Sequence, residues 1–385
     1  MDYFSSKKSL GILGGGQLGK MLLYHTRKWD ITTHVLDPDK NAPARLGCDV
    51  FVQGDFKDYQ TVYDFGKKLD TLTIEIEHVN TAALRQLEKE GVAVYPSAHT
   101  LEIIQNKGAQ KDFYQQHEIP TAKHQRFADL VPLQQNIRTG KIDFPFVWKS
   151  ALMGYDGKGV SIVRSLEGVD GLPDQECLVE ELVPYTHELA VIVARSATGE
   201  TKTYPMVEME FHPEANQVEY VLCPARVSNQ VKEKATRVAQ RVSEALAHVG
   251  LLAVELFLTE SDEILVNEVA PRAHNSGHLT IEACLTDQFE QHLRAILGLP
   301  LGSTDSVHAG VMVNLVGAEG QTGPVVYENI DALLAMKGVT PHIYGKKETR
   351  PFRKMGHVTI VHQDLNHARE QAEKAKKLIS VISKT

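Results

Sequence analysis

The first hundred residues alternate short apolar runs with amphipathic stretches. The apolar runs predict strands at 9–14, 33–37, 49–53, 71–76 and 92–95. Helical spacing of apolar positions predicts helices between several of these strands, at 17–28, 57–68 and 80–90. Alternation of this kind favours a parallel sheet with helices on its faces. A further predicted helix at 100–117 ends at Ile119-Pro120, which marks a candidate domain boundary.

The pattern changes after residue 124. Short strands and glycine-rich loops dominate until a helix predicted at 231–249, and a second helix is predicted near 280–297. The segment 308–362 predicts a small, mostly β unit. Apolar residues spaced from Leu365 to Ile382 predict one face of a terminal helix.

Two carboxylates interrupt apolar strands between those helices. Glu255 lies within Leu251–Leu258, and Glu268 follows Val266-Asn267. A buried carboxylate is costly unless it meets a cation. The intervening Thr259–Glu263 is typical of a hairpin turn, so we expect the two glutamates on adjacent antiparallel strands, side by side. With Asn267 they offer the oxygen ligands that suit Mg²⁺; the alternative is two solvated strand residues.

A glycine turn follows the first predicted strand. Gly14-Gly15-Gly16-Gln17-Leu18-Gly19 matches G-x-G-x-x-G between a strand and a helix, and Asp37 ends the second strand about twenty residues later. Backbone N–H groups at a helix N-terminus attract phosphate. The turn therefore fits a dinucleotide, another phosphate or a purely structural role.

A second glycine loop follows an apolar strand that ends on Lys149. Its sequence, Gly154-Tyr155-Asp156-Gly157-Lys158-Gly159, places glycines and a lysine where a nucleotide's phosphates could be covered. The spacing is not that of a Walker A motif, and a solvated hairpin loop is the alternative. The strand Leu178–Pro184, with Glu188 beyond it, could offer backbone groups to an adenine and a carboxylate to a ribose.

Composition narrows the class of protein. The 385 residues predict two or three domains, and 42% apolar with 23% charged residues is typical of a globular protein. A net charge of −8 argues against a nucleic-acid or membrane partner. Four cysteines without C-x-x-C spacing, no signal-peptide pattern and no long apolar run predict a cytoplasmic protein.

Taken together, these motifs resemble the ATP-grasp superfamily in order and spacing. Within it, the chain most resembles the family of N5-carboxyaminoimidazole ribonucleotide synthetases of purine biosynthesis. That resemblance covers nearly the whole chain and rests on the segments 15–19, 75–77, 154–159, 270–278 and 350–357. It implies an α/β fold, α+β in the ATP-binding part: a Rossmann-like domain at 1–105, an ATP-grasp domain at 106–298 with an inner lid lobe at about 124–185, and a small β-rich C-terminal domain at 299–385.

The resemblance also implies an activity. ATP, bicarbonate and 5-aminoimidazole ribonucleotide would give ADP, phosphate and the N5-carboxylated ribotide through carboxyphosphate. ATP would be a substrate, the metal would be Mg²⁺ with Mn²⁺ as an alternative, and the enzyme would be a homodimer.

Site roles follow by matching motifs residue by residue. The residues implied for ATP are Lys107, Lys149, Gly154, Gly157, Gly159, Glu180, Glu181, Val183, Glu188, His212, Asn267 and Glu268. Those implied for the metal are Glu255 and Glu268. The implied catalytic residues are Tyr155, Asp156, Lys158, Arg272, His274 and Asn275. The ribotide would be held by Gln17, Leu18, Glu75, Lys346, Arg353 and Lys354.

Three rivals fit less of the sequence. A formate-dependent glycinamide ribonucleotide transformylase shares the first glycine turn and Glu75, but it resembles this chain less at Gly154-Tyr155-Asp156 and at His274–His278. An NAD-dependent oxidoreductase would leave Glu255 and Glu268 without a role. A non-catalytic nucleotide sensor would not need the complete set of metal and phosphate groups.

Overall fold

The computed structural model describes residues 8–152, 159–212 and 217–384. Its first part contains β1 (Ser9–Leu13), α1 (Gln17–Lys28), β2 (Thr32–Asp37), β3 (Val50–Gln53), α2 (Tyr59–Gly66), β4 (Thr71–Ile74), α3 (Thr81–Lys89) and β5 (Ala93–Tyr95). The strands form a parallel sheet in the order β3-β2-β1-β4-β5. The predicted alternation of strands and helices is confirmed, with every element within a few residues of its expected bounds.

The single helix predicted at 100–117 is wrong. Two helices stand there, α4 (Ala98–Gln105) and α5 (Lys107–Gln116). Asn106 between them is extended, and its Oδ1 accepts a hydrogen bond of 2.9 Å from Ala109 N. Asparagine favours such an N-cap over a helix interior because its side chain competes for backbone donors. The break places Lys107 in the first turn of α5.

The next part contains an antiparallel sheet and two helices. Its elements are β6 (His124–Phe127), α6 (Leu130–Arg138), β7 (Phe146–Ser150), β8 (Val160–Val163), α7 (Leu166–Asp170) and β9 (Cys177–Glu181). Its strand order is β6-β9-β7-β8. Glu180 on β9 lies opposite Val147 on β7. Because side chains alternate along a strand, Glu180 and Lys149 share one face of this sheet.

The central part contains β10 (Tyr185–Arg195), β11 (Thr201–Thr203), β12 (Val207–Phe211), β13 (Val218–Cys223), α8 (Asn229–Ala245), β14 (Gly250–Thr259), β15 (Ile264–Ala270), α9 (Thr280–Ala283) and α10 (Gln288–Ile296). The helix predicted at 280–297 is thus interrupted, because Asp287 caps α10 and accepts from the N–H groups of Phe289 and Glu290. The helix predicted at 231–249 ends earlier, at Ala245.

The last part contains β16 (Ala309–Val316), β17 (Gly323–Glu328), α11 (Ile330–Leu334), β18 (Val339–Ile343), β19 (Glu348–Thr349), β20 (Lys354–His362), α12 (Leu365–Leu378) and β21 (Ser380–Ser383). The predicted terminal helix stops at Leu378. Ile382, expected on its apolar face, lies in β21 opposite Val326.

One large sheet joins the central and last parts. Its order is β15-β14-β10-β12-β13-β16-β20-β18, with β11 beside β10. The junction is the antiparallel pair β13–β16, in which Tyr220 lies opposite Val313. A separate small sheet has the order β19-β17-β21. In the part of the chain that the structure describes, no helix is long and apolar enough to cross a membrane.

The first sheet is anchored to the central part through α1 and α10. One apolar cluster includes Leu10 and Met21 from the first part with Phe289 from α10. Polar contacts join the same parts: Thr73 Oγ1 lies 2.8 Å from His292 Nε2, and His25 Nε2 lies 2.8 Å from Asp287 Oδ2. This packing fixes the width of the space between the parallel sheet and the hairpin β14–β15.

Candidate active site

The two acidic strand residues lie side by side. Glu255 on β14 is the direct cross-strand partner of Glu268 on β15, as the sequence predicts. The hairpin closes with Thr259 N donating to Glu263 O at 3.0 Å. Glu188 on β10 lies opposite Phe257, two residues beyond Glu255, so all three carboxylates share a face of the sheet.

Each member of the acid pair faces a nitrogen-bearing side chain. Lys107 Nζ lies 2.7 Å from Glu268 Oε2, and His274 Nε2 lies 3.3 Å from Glu255 Oε1. The Lys107 ammonium lowers the pKa of Glu268. Burial, and then the charge of Glu268, raise the pKa of Glu255. The surroundings therefore favour the ionised form of Glu268 and disfavour that of Glu255.

The acid pair fits a magnesium ion that is shared with a nucleotide. Protein sites hold Mg²⁺ with one or two carboxylates and substrate phosphates rather than with a full protein cage. No group of three or more His, Cys, Asp or Glu residues suited to a metal occurs within residues 8–152, 159–212 and 217–384.

Two further lysines, Lys149 on β7 and Lys111 on α5, meet at Glu180. Lys149 Nζ lies 2.9 Å from Glu180 Oε2 and donates to Asn267 Oδ1 at 3.1 Å. Lys111 Nζ lies 3.1 Å from the other carboxylate oxygen of Glu180. Sequence reasoning missed Lys111, although its spacing of four from Lys107 places both on one face of α5.

The acids implied for adenine and ribose have different surroundings. The Glu180 carboxylate is enclosed by its two lysines, whereas Glu181 Oε1 accepts from Lys123 N at 3.0 Å. Glu188 hydrogen-bonds Tyr185, whose ring is stacked on Phe257 with centroids 4.6 Å apart. Burial raises the pKa of Glu188. Val183 is buried.

A cavity of about 550 Å³ lies between the parallel sheet and the hairpin. That volume is typical of small-molecule sites. The predicted residues in its wall are Gln17, Leu18, Glu75, Lys107, Glu255, Glu268, Arg272, His274, Asn275 and Lys354. Among the described residues, the wall does not include Lys149, Gly159, Glu180, Glu181, Val183, Glu188, His212, Asn267, Lys346 or Arg353. Lining residues that sequence reasoning did not assign include Lys57, Glu77, His78, Gln105 and Gln110.

The polar turn after β15 is held by a residue that sequence reasoning also missed. Gln288, fully buried at the start of α10, accepts from His274 N and donates to His274 O, both at 2.9 Å. At the cavity, Arg272 Nη2 lies 2.7 Å from Glu77 Oε1. Asn275 forms a reciprocal amide pair with Asn314, each bond 2.9 Å long. These contacts hold the side chains of Arg272 and Asn275 and the backbone of the turn in place.

The first glycine turn binds the protein's own carboxylates. Glu75 accepts from Gly16 N at 2.8 Å and from Gly19 N at 2.9 Å, while Asp37 accepts from Gly15 N at 2.7 Å. A Cβ at Gly16 would lie 2.6 Å from Glu75 Oε1, so a side chain there would displace the carboxylate. The N–H groups that would hold a dinucleotide's pyrophosphate already donate to carboxyl oxygens of the protein, which disfavours the oxidoreductase alternative.

The basic run near the C-terminus divides into two environments. Lys354 lines the cavity, and Lys346 Nζ donates to the Lys354 carbonyl at 2.7 Å. Arg353 instead donates to the Glu348 carbonyl at 2.7 Å. Phe352, the residue before Arg353, has a left-handed backbone, with φ of 60°, an unusual conformation for a bulky residue. The structure brings Lys354, but not the Arg353 guanidinium, to Gln17 and Leu18.

The second glycine loop is described only at its end. Gly154, Tyr155, Asp156, Gly157 and Lys158 lie outside the described residues. The Gly159 carbonyl accepts from Ser150 N at 2.8 Å. His212 follows β12, and its ring centroid lies 6.0 Å from that of Phe352.

Comparison with protein families places three models along the chain. A ribonucleotide synthetase preATP-grasp domain matches residues 7–105, an ATP-grasp domain matches 112–289, and a phosphoribosylaminoimidazole carboxylase C-terminal domain matches 310–371.

Individual proteins show the same likeness over nearly the whole chain. The N5-carboxyaminoimidazole ribonucleotide synthase of Bacillus subtilis is 37% identical, covering 92% of this chain and 91% of that protein. The crystal structure of the synthetase from Thermotoga maritima is 42% identical, with a TM-score of 0.90 over 98% of this chain and 100% of that one. The Aspergillus clavatus synthase in complex with ADP and 5-aminoimidazole ribonucleotide is 33% identical, with a TM-score of 0.87 over 97% and 98% of the two chains.

The fold, the acid pair and its lysines define an ATP-grasp enzyme. Within that superfamily the chain belongs to the N5-carboxyaminoimidazole ribonucleotide synthetase family. It spans about two thirds of the length of the fungal and plant phosphoribosylaminoimidazole carboxylases that it also matches.

Proposed function

We propose that this chain carboxylates 5-aminoimidazole ribonucleotide with bicarbonate and ATP, releasing ADP and phosphate, as a step of purine biosynthesis. The observation that supports this most directly is the wall of the cavity. It combines Glu255 and Glu268 with Gln17, Leu18 and Glu75 of the first sheet. A phosphoryl-transfer centre and a pocket for an acceptor therefore open into the same space.

The reaction needs two bond-forming steps. A bicarbonate oxygen attacks the γ-phosphate to give carboxyphosphate and ADP, and the ribotide's amine then captures the carboxyl carbon, either directly or as released CO₂. Phosphoryl transfer depends mainly on positioning and on neutralising charge. Glu255 and Glu268 would hold Mg²⁺, with Mn²⁺ as an alternative. When bound, the metal supplies positive charge to the phosphate oxygens.

The chain's own cations would complete that neutralisation. Lys107 lies beside Glu268, and Lys149 lies beside Asn267. When a polyphosphate binds, the Lys107 ammonium can leave Glu268 for a phosphate oxygen and free the carboxylate for the metal. Arg272, His274 and Asn275 would orient bicarbonate, since the turn that bears them is already fixed by Gln288.

The ribotide would lie against the first sheet. Gln17 and Leu18 begin α1, and Lys354 faces the same cavity, so a 5′-phosphate there would meet a charged donor. The second glycine loop contains Tyr155, Asp156 and Lys158. Tyr155 and Asp156 would orient the amine, and Asp156 would accept its proton. We also propose that the enzyme is a homodimer and that it is cytoplasmic.

The test is ADP release with each acceptor. We expect release to rise strongly with 5-aminoimidazole ribonucleotide and the carboxylated product to require bicarbonate. Stimulation by formate with glycinamide ribonucleotide, and none by the aminoimidazole, would contradict the proposal and favour the transformylase alternative.

A further inference from the structure

A buried chain of ion pairs lies beside the acid pair. Glu180 is shared between Lys111, 3.1 Å from Oε1, and Lys149, 2.9 Å from Oε2. The side chains of Lys111 and Glu180 are only 2% and 4% exposed. Burying charged side chains costs folding free energy, and here two ammonium groups are buried beside a single carboxylate. A functional role for the second ammonium group would account for this arrangement.

Lys111 itself does not reach the cavity. Among the described residues, its wall includes Lys107 and Gln110 of the same helix but not Lys111. The Lys111 ammonium donates to Thr121 Oγ1 at 2.5 Å, and that hydroxyl donates to the Val266 carbonyl at 2.7 Å. Lys111 is thus fixed between β9 and the strand that bears Asn267 and Glu268, and among the described residues Glu180 is the carboxylate that it shares with Lys149.

Glu180 joins the two lysines. One oxygen of its carboxylate forms an ion pair with Lys111 and the other with Lys149, whose ammonium also donates to Asn267. We propose that Lys111 is a positioning residue that acts through Glu180 to keep the Lys149 ammonium directed at the nucleotide phosphates. This inference rests on the proposed function in one respect, the assignment of Lys149 to ATP.

The charges around Glu180 agree with this role. Burial opposes ionisation of Glu180, but Lys149 and Lys111 together hold its pKa below the usual value. Burial lowers the pKa of Lys111 to about 8. With all three groups ionised the triad has a surplus positive charge, and a phosphate oxygen beside Lys149 would balance it.

The first test removes the Lys111 charge and keeps a similar shape. In Lys111→Met we expect Glu180 to pair with Lys149 alone, so the KM for ATP and the Kd for ADP should each rise about tenfold. The KM for 5-aminoimidazole ribonucleotide should stay within about twofold. Lys111→Arg should recover part of the ATP affinity. Lys141→Met removes an exposed lysine from the lobe that bears Glu180 and Lys149. It is the control and should change neither the KM for ATP nor the Kd for ADP.

A double-variant cycle tests the route through Glu180. If Lys111 acts only through that carboxylate, Lys111→Met should change the Kd for ADP less than about twofold in a Glu180→Gln background. Equal rises in both KM values, or effects that simply multiply in the double variant, would overturn the proposal and leave Lys111 a structural residue. If circular dichroism shows that Lys111→Met does not fold, two other variants decide: Lys111→Arg, and Lys111→Met combined with Glu180→Gln. The change in the Kd for ADP is again the criterion.

The ADP titration also separates this inference from the proposed reaction. It requires no acceptor and no turnover. A wild-type enzyme that binds ADP but does not carboxylate the ribotide would contradict the substrate assignment, while the comparison of Lys111 variants would still decide the role of Lys111.

Discussion

The Lys107 ammonium lies 2.7 Å from Glu268 Oε2 and so occupies the position of a counter-ion beside the acid pair. The charge of the same lysine lowers the pKa of Glu268 and so favours its ionised form. We therefore expect Lys107 to compete with a metal ion until a nucleotide offers the lysine another anion.

Lys107→Met should expose this competition. With the ammonium removed, the affinity of the nucleotide-free protein for Mn²⁺ should rise about tenfold or more, while its affinity for ATP falls. Electron paramagnetic resonance of free Mn²⁺ during a titration measures the first, and calorimetry measures the second. Lys57→Met removes another lysine of the cavity wall as a control. Equal Mn²⁺ affinity in wild type and Lys107→Met would show that Lys107 does not compete with a metal.

Glu268→Gln should separate activity from stability. The rate of ADP formation should fall by orders of magnitude, because phosphoryl transfer relies on charge placed at the phosphates. The free energy of unfolding should change by only about 1 kcal/mol, since Glu255 loses its like-charged neighbour, ionises and becomes the partner of Lys107. Rapid-quench kinetics and urea unfolding give the two values. Normal turnover at ordinary Mg²⁺ would exclude Glu268 as a ligand.

Lys354 and Arg353 should differ when each is replaced by alanine. Lys354→Ala should raise the KM for the ribotide by roughly tenfold or more, which corresponds to about 1.5–3 kcal/mol for a lost charge-assisted hydrogen bond. Arg353→Ala should have a smaller effect because its guanidinium donates to the Glu348 carbonyl. The KM for ATP should change little in either. Steady-state kinetics with each substrate varied separately measure this, and an equal rise for ATP would argue against a ribotide site.

Buried neutral histidines predict weaker folding in acid. Burial lowers the pKa of His292 to about 3, whereas an unfolded histidine titrates near 6.5. Below about pH 6.5 the unfolded chain binds the extra proton, so the free energy of unfolding falls by up to about 1.4 kcal/mol per pH unit until about pH 3. His292→Gln should remove this contribution. Urea unfolding of both proteins at pH 7, 6 and 5 measures it, and parallel pH profiles would contradict the prediction.

Local sequence signals were sufficient for the elements and for the acid pair. The alternation that predicts the parallel sheet, and the turn between Leu258 and Ile264, are properties of neighbouring residues. The opposition of Glu255 and Glu268 follows from that hairpin alone. Asn106 and Asp287 interrupt predicted helices because a side-chain cap outweighed helical periodicity at one position.

Lys111 and Gln288, which sequence reasoning missed, act on partners in other elements. Gln288 holds a turn fourteen residues away in sequence, and Lys111 meets Glu180. Glu75, which the resemblance assigns to the ribotide, also accepts from N–H groups at the N-terminus of α1. Nothing in the residues near Glu75 distinguishes a ligand-binding carboxylate from one that satisfies backbone donors. Such pairings depend on how the parts pack, which periodicity does not encode.

The continuous sheet means that the ATP-binding part and the C-terminal part share backbone hydrogen bonds. Removing the chain from residue 299 onward would leave β13, with Tyr220 and Leu222, as an open edge whose N–H and C=O groups have lost their partners on β16. Open edges of this kind pair with other chains. The C-terminal part therefore protects the nucleotide-binding half from aggregation, and a deletion meant to isolate that half should yield insoluble protein.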